Sequence, residues 1–460
     1  MNLKKFFGTQ QFYAGVYYIA MPILVQNVIT NFVSLLDNLM VGRVGTEPMS
    51  GVAIVNQLVF VFNIALFGLS AGIGIYTAQY FGKQDNDGLR KTFKMVVVSC
   101  IGFFVIGLLV FLSFGDTLIW QYLHEGEGGI DLQATFQYGH DYLQTILWGM
   151  FPFVISQAYA GTLRCVQETR VPMVASLIAV AVNLSLNYIL IYGKFGAPAL
   201  GVVGAAVATN ISRYVECAIN VVWTHTHKIQ VPFAEGMYKK LNISGDLIKR
   251  VVLTTIPMFA NELLWASSQT VMNQIFSLRG IEVVSAINIS STASTLFNSF
   301  YLSMGITVSI MVGNALGTGD EELAVDTDRK LITLSFLMSV VVGILSYLFA
   351  PKITVLYNTQ ENVKALASSF IKVLALLVPF EAVVSASYFT IRSGGRTFIT
   401  FLFDSCSAWI LMVSTAFILV NYTSLSIVPI FSLVYGTIFI KMIVGLIMVK
   451  KRIWVKNIVN

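Results

Sequence analysis

"MPILVQNVITNFVSLLDNLMVGRVG", residues 21–45, is an apolar stretch that carries a carboxylate, Asp37, near its end. The apolar run begins near Val16, so it exceeds the ~20 residues a membrane-spanning helix needs. An Asp at the centre of such a helix costs about 2.5–3.5 kcal/mol on insertion scales, which marks it as a functional residue by default. The same kind of stretch returns later in the chain. Pro22 in "AMPILVQNV" is matched by Pro257 in "TIPMFANEL", and Gly45 by Gly280. Gly82 and Asp85 in "QYFGKQD" are matched by Gly317 and Asp320 in "NALGTGD". Every pair is 235 residues apart, which reads as an internal duplication.

Composition sets the solvent. Of the 460 residues, 56% are hydrophobic and 11% charged, and the mean hydropathy is +0.75. An ordinary soluble chain is about 25% charged. Lipid is therefore the solvent for most of this one. The 29 Lys+Arg against 23 Asp+Glu are scattered between apolar segments, which points to membrane orientation and not to a nucleic-acid partner. Cys100, Cys165, Cys217 and Cys406 lie in or beside apolar segments without C-x-x-C spacing and read as free thiols. His225 and His227 sit two apart and read as a solvated loop, not a metal site. Lys4 and Lys5 precede an apolar run too long for a signal peptide, so the first span is expected to be retained.

Twelve apolar windows reach spanning length: 15–41, 52–81, 93–115, 138–161, 172–193, 201–224, 250–276, 287–314, 330–350, 367–391, 398–420 and 425–449. With the N-terminus inside, twenty-one basic residues fall on inner loops and tails, among them Lys239 and Lys240, against six on outer loops. Both termini are thus expected on the cytoplasmic side of the cell membrane. The longest polar stretch, residues 224–249, divides the chain into six spans (1–223) and six more (250–460). Six spans separate equivalent points, so the repeat is parallel, about an axis along the membrane normal, as in many transporters.

Polar residues recur on single helical faces. Asn27, Thr30, Asn31, Ser34, Asp37 and Asn38 do so on the first span; Asn56, Asn63 and Ser70 on the second; Ser176, Asn183 and Asn187 on the fifth. The second half has Glu262, Gln269 and Asn273, then Asn288, Thr292, Thr295 and Ser299. It also has Glu381, Ser385 and Tyr388, and Asp404, Ser407 and Thr415. Isolated Ser, Thr and Asn glue helices together at about 0.6 kcal/mol per hydrogen bond. The carboxylates ask for more, since an amide fills a structural role without the ionisation penalty. Asp404, close to an inner loop, has Arg392 or Arg396 as candidate partners. No phosphate-binding loop, nucleophile elbow or H-E-x-x-H motif occurs, so neither an ATPase nor a membrane hydrolase is indicated. Uphill transport would draw on an ion gradient, and no cofactor is expected. A channel, being downhill, would need no imposed gradient.

Eight stretches, taken in order, resemble the MATE (multidrug and toxic compound extrusion) family: residues 21–45, "GLSAGIGIYTAQYFGKQD" (68–85), "LRCVQETRVPM" (163–173), "GAPALGVVGAAVAT" (196–209), "IPMFANELLWASSQT" (256–270), "VGNALGTGDEELA" (312–324), "RSGGRT" (392–397) and "WVKN" (454–457). The resemblance covers almost the whole chain. It implies an all-α fold of twelve helices in two six-helix lobes forming a V, acting as a monomer in the bilayer. It implies export of organic cations by alternating access, in exchange for H⁺ or Na⁺. It makes Asp37 the coupling carboxylate, helped by Asn183, Asn187 and Thr209 of the "GAA-x-AT" turn. Glu262, Glu381 and Asp404 become second-lobe groups for a cation or substrate, with Asn31, Ser34, Asn63, Gln269, Asn273, Asn288 and Tyr388 lining the cavity. The chain departs from the family in three places. Asn187 stands where one branch has an acid, Glu262 lies a turn before the expected seventh-span acid, and Arg396 replaces a frequent Asp. A related alternative, a lipid-linked oligosaccharide flippase, would need a strongly cationic cavity. Only Arg213 and Lys441 are basic within the spans, both expected near the cytoplasmic ends.

Overall fold

The computed structural model describes residues 3–123, 131–237, 243–357 and 359–459. Lys239, Lys240 and the middle of the polar stretch lie outside the described residues. Among those described there is no strand. Twelve long helices follow in chain order: α1 Gln10–Gly42, α2 Thr46–Gly82, α3 Asn86–Trp120, α4 Leu132–Cys165 (with a 3-10 turn at Leu147–Gly149), α5 Arg170–Tyr192 and α6 Gly201–Thr226. The second half adds α7 Gly245–Ser277, α8 Ile281–Gly317, α9 Glu321–Val355, α10 Glu361–Ser393, α11 Thr397–Tyr422 and α12 Ile427–Lys450. Most overrun their apolar windows, because a helix keeps its backbone hydrogen bonds after its side chains turn polar.

Ten of the twelve are long and apolar enough to cross a membrane. The exceptions, α6 and α7, have spanning length but carry Arg213 and Glu216, and Asp246, Lys249, Arg250 and Glu262 respectively. The outer faces agree with lipid. Helix α3 exposes Val98, Val105, Ile106, Leu109 and Leu112, and α9 exposes Leu337, Val341, Ile344 and Leu348. A soluble protein does not leave apolar stripes of that length in water. The chain is a multi-pass membrane protein.

The duplication shows in the backbone. Gly45 and Gly280 end the turns after α1 and α7 at φ 155° and 114°, a region open to glycine. Gln84 and Gly319, again equivalent, take φ 60° and 83°. Helices α1 and α7 run on through Pro22 and Pro257.

The described residues pack as two compact units. One comprises residues 1–24, 78–85 and 245–460, the other residues 25–77 and 86–244. Helix α1 serves both: Val16 and Ala20 join a core with Met258, Phe300 and Met304 in the first unit, whereas its later half belongs to the second. Within the first unit the ends of α2 and α8 cross at close range. A methyl group on Gly82 would overlap the carbonyl of Asn314, and one on Gly317 would overlap that of Gln79. Gln79 and Asn314 are themselves repeat equivalents, so the crossing is reciprocal. Gly317→Ala should therefore cost about 1–3 kcal/mol as an overpacked contact, read as a lower unfolding temperature of the detergent-solubilised protein. An unchanged unfolding temperature would show that the helix ends separate freely.

Two sequence expectations need correction. His225 is the penultimate residue of α6, not part of a loop, and its Nε2 lies 2.9 Å from the Tyr159 hydroxyl. Arg213 stands in the middle of α6, not near its end, stacked on Phe153 at 4.9 Å. In both cases the helix runs beyond or around a polar residue that looked like a boundary. None of the four cysteines forms a disulfide among the described residues.

Candidate functional site

In the second unit, helices α1, α5 and α6 bring Asp37 together with Asn183, Asn187 and Thr209. Asn187 Nδ2 donates to Asp37 Oδ1 at 2.7 Å. Asn183 and Asn187 stand four apart on α5, one turn of the same buried face, so both amides reach the carboxyl. Asp37 makes no ion pair among the described residues; amides hold it. The Asn183 amide ends 3.0 Å from Oδ1 and 3.2 Å from Oδ2 of Asp37. Its two orientations match the two states of the acid. With its oxygen toward Asp37, two oxygens meet, and a proton on Asp37 must join them. Asn187 then also donates to Asn183 Oδ1 at 3.1 Å, and Asn183 Nδ2 donates to Thr209 Oγ1 at 3.3 Å. With its nitrogen toward Asp37, it donates to an ionised carboxylate while its oxygen accepts from the Thr209 hydroxyl. Asn187 donates to Asp37 in either case, while its own Oδ1 is buried without a hydrogen-bond partner among the described residues.

Other first-half residues are placed differently. Ser34 is exposed, and its hydroxyl donates back to the Thr30 carbonyl at 3.0 Å. Asn31 is half-buried. Asn63 Oδ1 is buried without a hydrogen-bond partner among the described residues. Asn56, from the second-span stripe, accepts from the Tyr142 hydroxyl of α4 at 3.3 Å.

In the first unit, Glu381 and Asp404 line one cavity of about 350 Å³ together with Gln269, Asn273 and Lys441. Trp265, Phe297, Tyr301, Phe431 and Tyr435 supply aromatic walls. Ligand pockets start at about 300 Å³, so the space suits one small drug-sized molecule. Asp404 is aimed by an unusual backbone: α11 is π-helical over Leu402–Cys406 and Ala408–Val413. Such wide turns concentrate at functional sites. Ser405, in the same segment, donates to the carbonyl and to Oδ1 of Asn261, both at 2.7 Å.

Asp404 does not pair with Arg392 or Arg396, the partners considered from the sequence. Lys441 Nζ donates to its Oδ1 at 2.6 Å, while Arg396 Nε donates to the Ile453 carbonyl. Its Oδ2 accepts from Asn261 Nδ2 at 3.1 Å. Asn261 Nδ2 also reaches the buried Tyr388 hydroxyl at 3.3 Å. Glu262, next to Asn261 in the chain, is not among the residues lining the cavity. Asn288, which is exposed, and Tyr388, which is buried against Asn261, do not line it either; Ser290, Ser294 and Asn298 of the Asn288 helix do.

A family model described as MatE matches residues 22–189 and 257–418, well over half of the chain. The chain belongs to the MatE family. The two matched segments begin at Pro22 and Pro257, the repeat-related prolines. A "Probable multidrug resistance protein NorM" of Thermotoga maritima is 27% identical over 89% of this MatE chain and 86% of its own length. "Probable multidrug resistance protein YoeA" of Bacillus subtilis is 25% identical over 88% and 86%. Among solved structures, one titled "Outward-facing conformation of a multidrug resistance MATE family transporter of the MOP superfamily" covers 98% of this chain and 97% of its own at TM-score 0.85 and 18% identity. Another, "Crystal structure of MATE in complex with MaL6", covers 95% of each chain at TM-score 0.86 and 20% identity. At these identities the structures establish the fold, an all-helical MATE fold.

Sequence reasoning missed the buried Asn261 and the pairing role of Lys441. It also missed Asp328 of α9, which is 1% exposed and accepts from Thr390 Oγ1 of α10 at 2.5 Å. Asn261 stood beside Glu262 in a quoted motif and Lys441 was noted as a base within a span. Nothing local in the sequence pairs Asp328 with a residue 62 positions on.

Proposed function

We propose that this MatE-family protein exports small organic cations from the cytoplasm by exchange for H⁺ or Na⁺, as an alternating-access antiporter rather than an enzyme. Asp37 carries the reading. An acid in a spanning helix, held by amides able to serve both its charged and neutral forms, is built to gain and lose a positive charge. The relatives named as multidrug resistance proteins support the substrate class. So does the cavity of the first unit, where two acids face five aromatic rings and one lysine, a lining that favours cations. An anionic lipid headgroup, as in a flippase, would meet like charge there. The excess of basic residues on one set of loops supports cytoplasmic termini in a cell membrane. Repeats 1–223 and 250–460, joined by 224–249, are the units expected to move, within one monomer. A bound ion favours one facing state only through its different affinity for the two.

The test is export of a fluorescent organic cation from proteoliposomes under an imposed pH gradient, then under a Na⁺ gradient. One of the two should drive accumulation against the concentration gradient. Equal flux with no gradient imposed would mean a channel. Glu381→Gln should lower kcat/KM for the cation about tenfold, the effect of losing about 1.4 kcal/mol of attraction, and leave a neutral substrate less affected.

A further inference from the structure

The cavity of the first unit holds three charged residues, Glu381, Asp404 and Lys441. Asp404 is already matched. Lys441 Nζ stands 2.6 Å from its Oδ1, with the two side chains 15% and 20% exposed, and Asn261 occupies its other oxygen. Lys441 is further seated over the Phe403 ring at 5.5 Å. Glu381 makes no ion pair among the described residues. Counted at their ordinary charges, the three leave one negative charge in excess, on Glu381.

We propose that Lys441 is a tethered cation that sets the charge specificity of the cavity. It neutralises Asp404, leaves Glu381 as the acid a substrate meets, and so confines the site to singly charged organic cations. This rests on the organic-cation reading above and goes beyond it. A second positive charge on the ligand has no acid to meet unless it expels Lys441 from Asp404. Expulsion would leave a largely covered ammonium without its partner, which is strongly unfavourable. Lysine suits this role, since its compact charge on a flexible stem fills one oxygen of Asp404 without the two-pronged grip of arginine.

N-methyl-4-phenylpyridinium and N,N′-dimethyl-4,4′-bipyridinium share a two-ring shape but carry one and two positive charges. Their export by the full-length protein in proteoliposomes, under whichever gradient drives transport, provides the test. The wild type should favour the monocation. Lys441→Met removes the tethered charge, doubles the net negative charge, and should shift the kcat/KM ratio toward the dication by about tenfold or more. Lys441→Arg should keep the wild-type ratio, and Lys441→Met with Asp404→Asn, which returns the net charge to minus one, should restore it. Asp404→Asn alone leaves no net negative charge and should move the ratio the other way, which keeps the test open if Lys441→Met fails to fold. Ratios staying within about threefold of wild type, a difference of under 1 kcal/mol, in both single neutralised variants would overturn the role of Lys441. A wild type that exports neither compound would instead remove the organic-cation reading, and this proposal with it.

Discussion

Asp37→Asn abolishes gradient-driven export while leaving the protein folded: that is the expected result of the substitution with the largest functional effect. The new amide can accept from Asn187 Nδ2 and donate to Asn183 Oδ1, reproducing the hydrogen bonds of the protonated acid. An amide is also cheaper to hold in a membrane helix than a carboxylate. Stability should therefore be unchanged or slightly higher, and the site should be frozen in one of its two states. Coupled efflux should fall at least about a hundredfold, equivalent to about 2.7 kcal/mol of lost driving interaction. Dye export from loaded vesicles and thermal unfolding in detergent read the two quantities separately. Substantial export at equal expression would reduce Asp37 to a helix–helix hydrogen bond, because Asn can make that bond too.

The largest stability effect should come from outside the helices, at Trp454. This residue follows α12, is 0% exposed, and joins the core formed by Phe300, Met304, Phe389 and Phe403. Its backbone carbonyl lies against Gly394, where no larger residue fits, and its Nε1 donates to the Val449 carbonyl at 3.2 Å. The residues after it close onto the helix ends. Ile458 N donates to Gln79 Oε1 at 2.8 Å, Gln79 Nε2 donates to the Ser393 carbonyl at 2.9 Å, and Asn457 Nδ2 donates to the Leu316 carbonyl at 3.0 Å. Trp454→Ala should cost about 3–5 kcal/mol, the range for emptying an aromatic site in a core, and also loosen these bonds. Trp454→Phe keeps most of the volume and should lose less than half of that. A small drop in unfolding temperature for the alanine variant would show that the tail rests on the protein without contributing to its core.

The two sites differ in how much of them was legible. Asp37 stood out in the sequence as a lone membrane acid, and Asn183 and Asn187 as a pair one turn apart, but their meeting, 150 residues apart in the chain, was expected only through family resemblance. Thr209 came the same way, since its contact with Asn183 spans 26 residues. In the second half, Glu381, Asp404, Gln269 and Asn273 do share a cavity. Glu262 and Asn288 do not line it, although each lay on a well-formed polar stripe. A stripe defines a helix face, but not what that face meets.

The sequence by itself determined that this is a multi-pass helical membrane protein with an internal repeat and an acid worth explaining in its first span. Those properties are local or periodic: hydropathy acts over about 20 residues, and the repeat preserves turn glycines because positive φ excludes most other residues. Only the tertiary structure decided that Lys441 answers Asp404, that Asn261 links Asp404 to Tyr388, and that the tail closes on Gln79. Those meetings depend on how each helix is rotated and on the π-turns of α11, which redirect Asp404 away from a regular helical face. Rotation is fixed by packing between residues more than a hundred positions apart, as Asn261 and Asp404 are. No window of the sequence contains both partners.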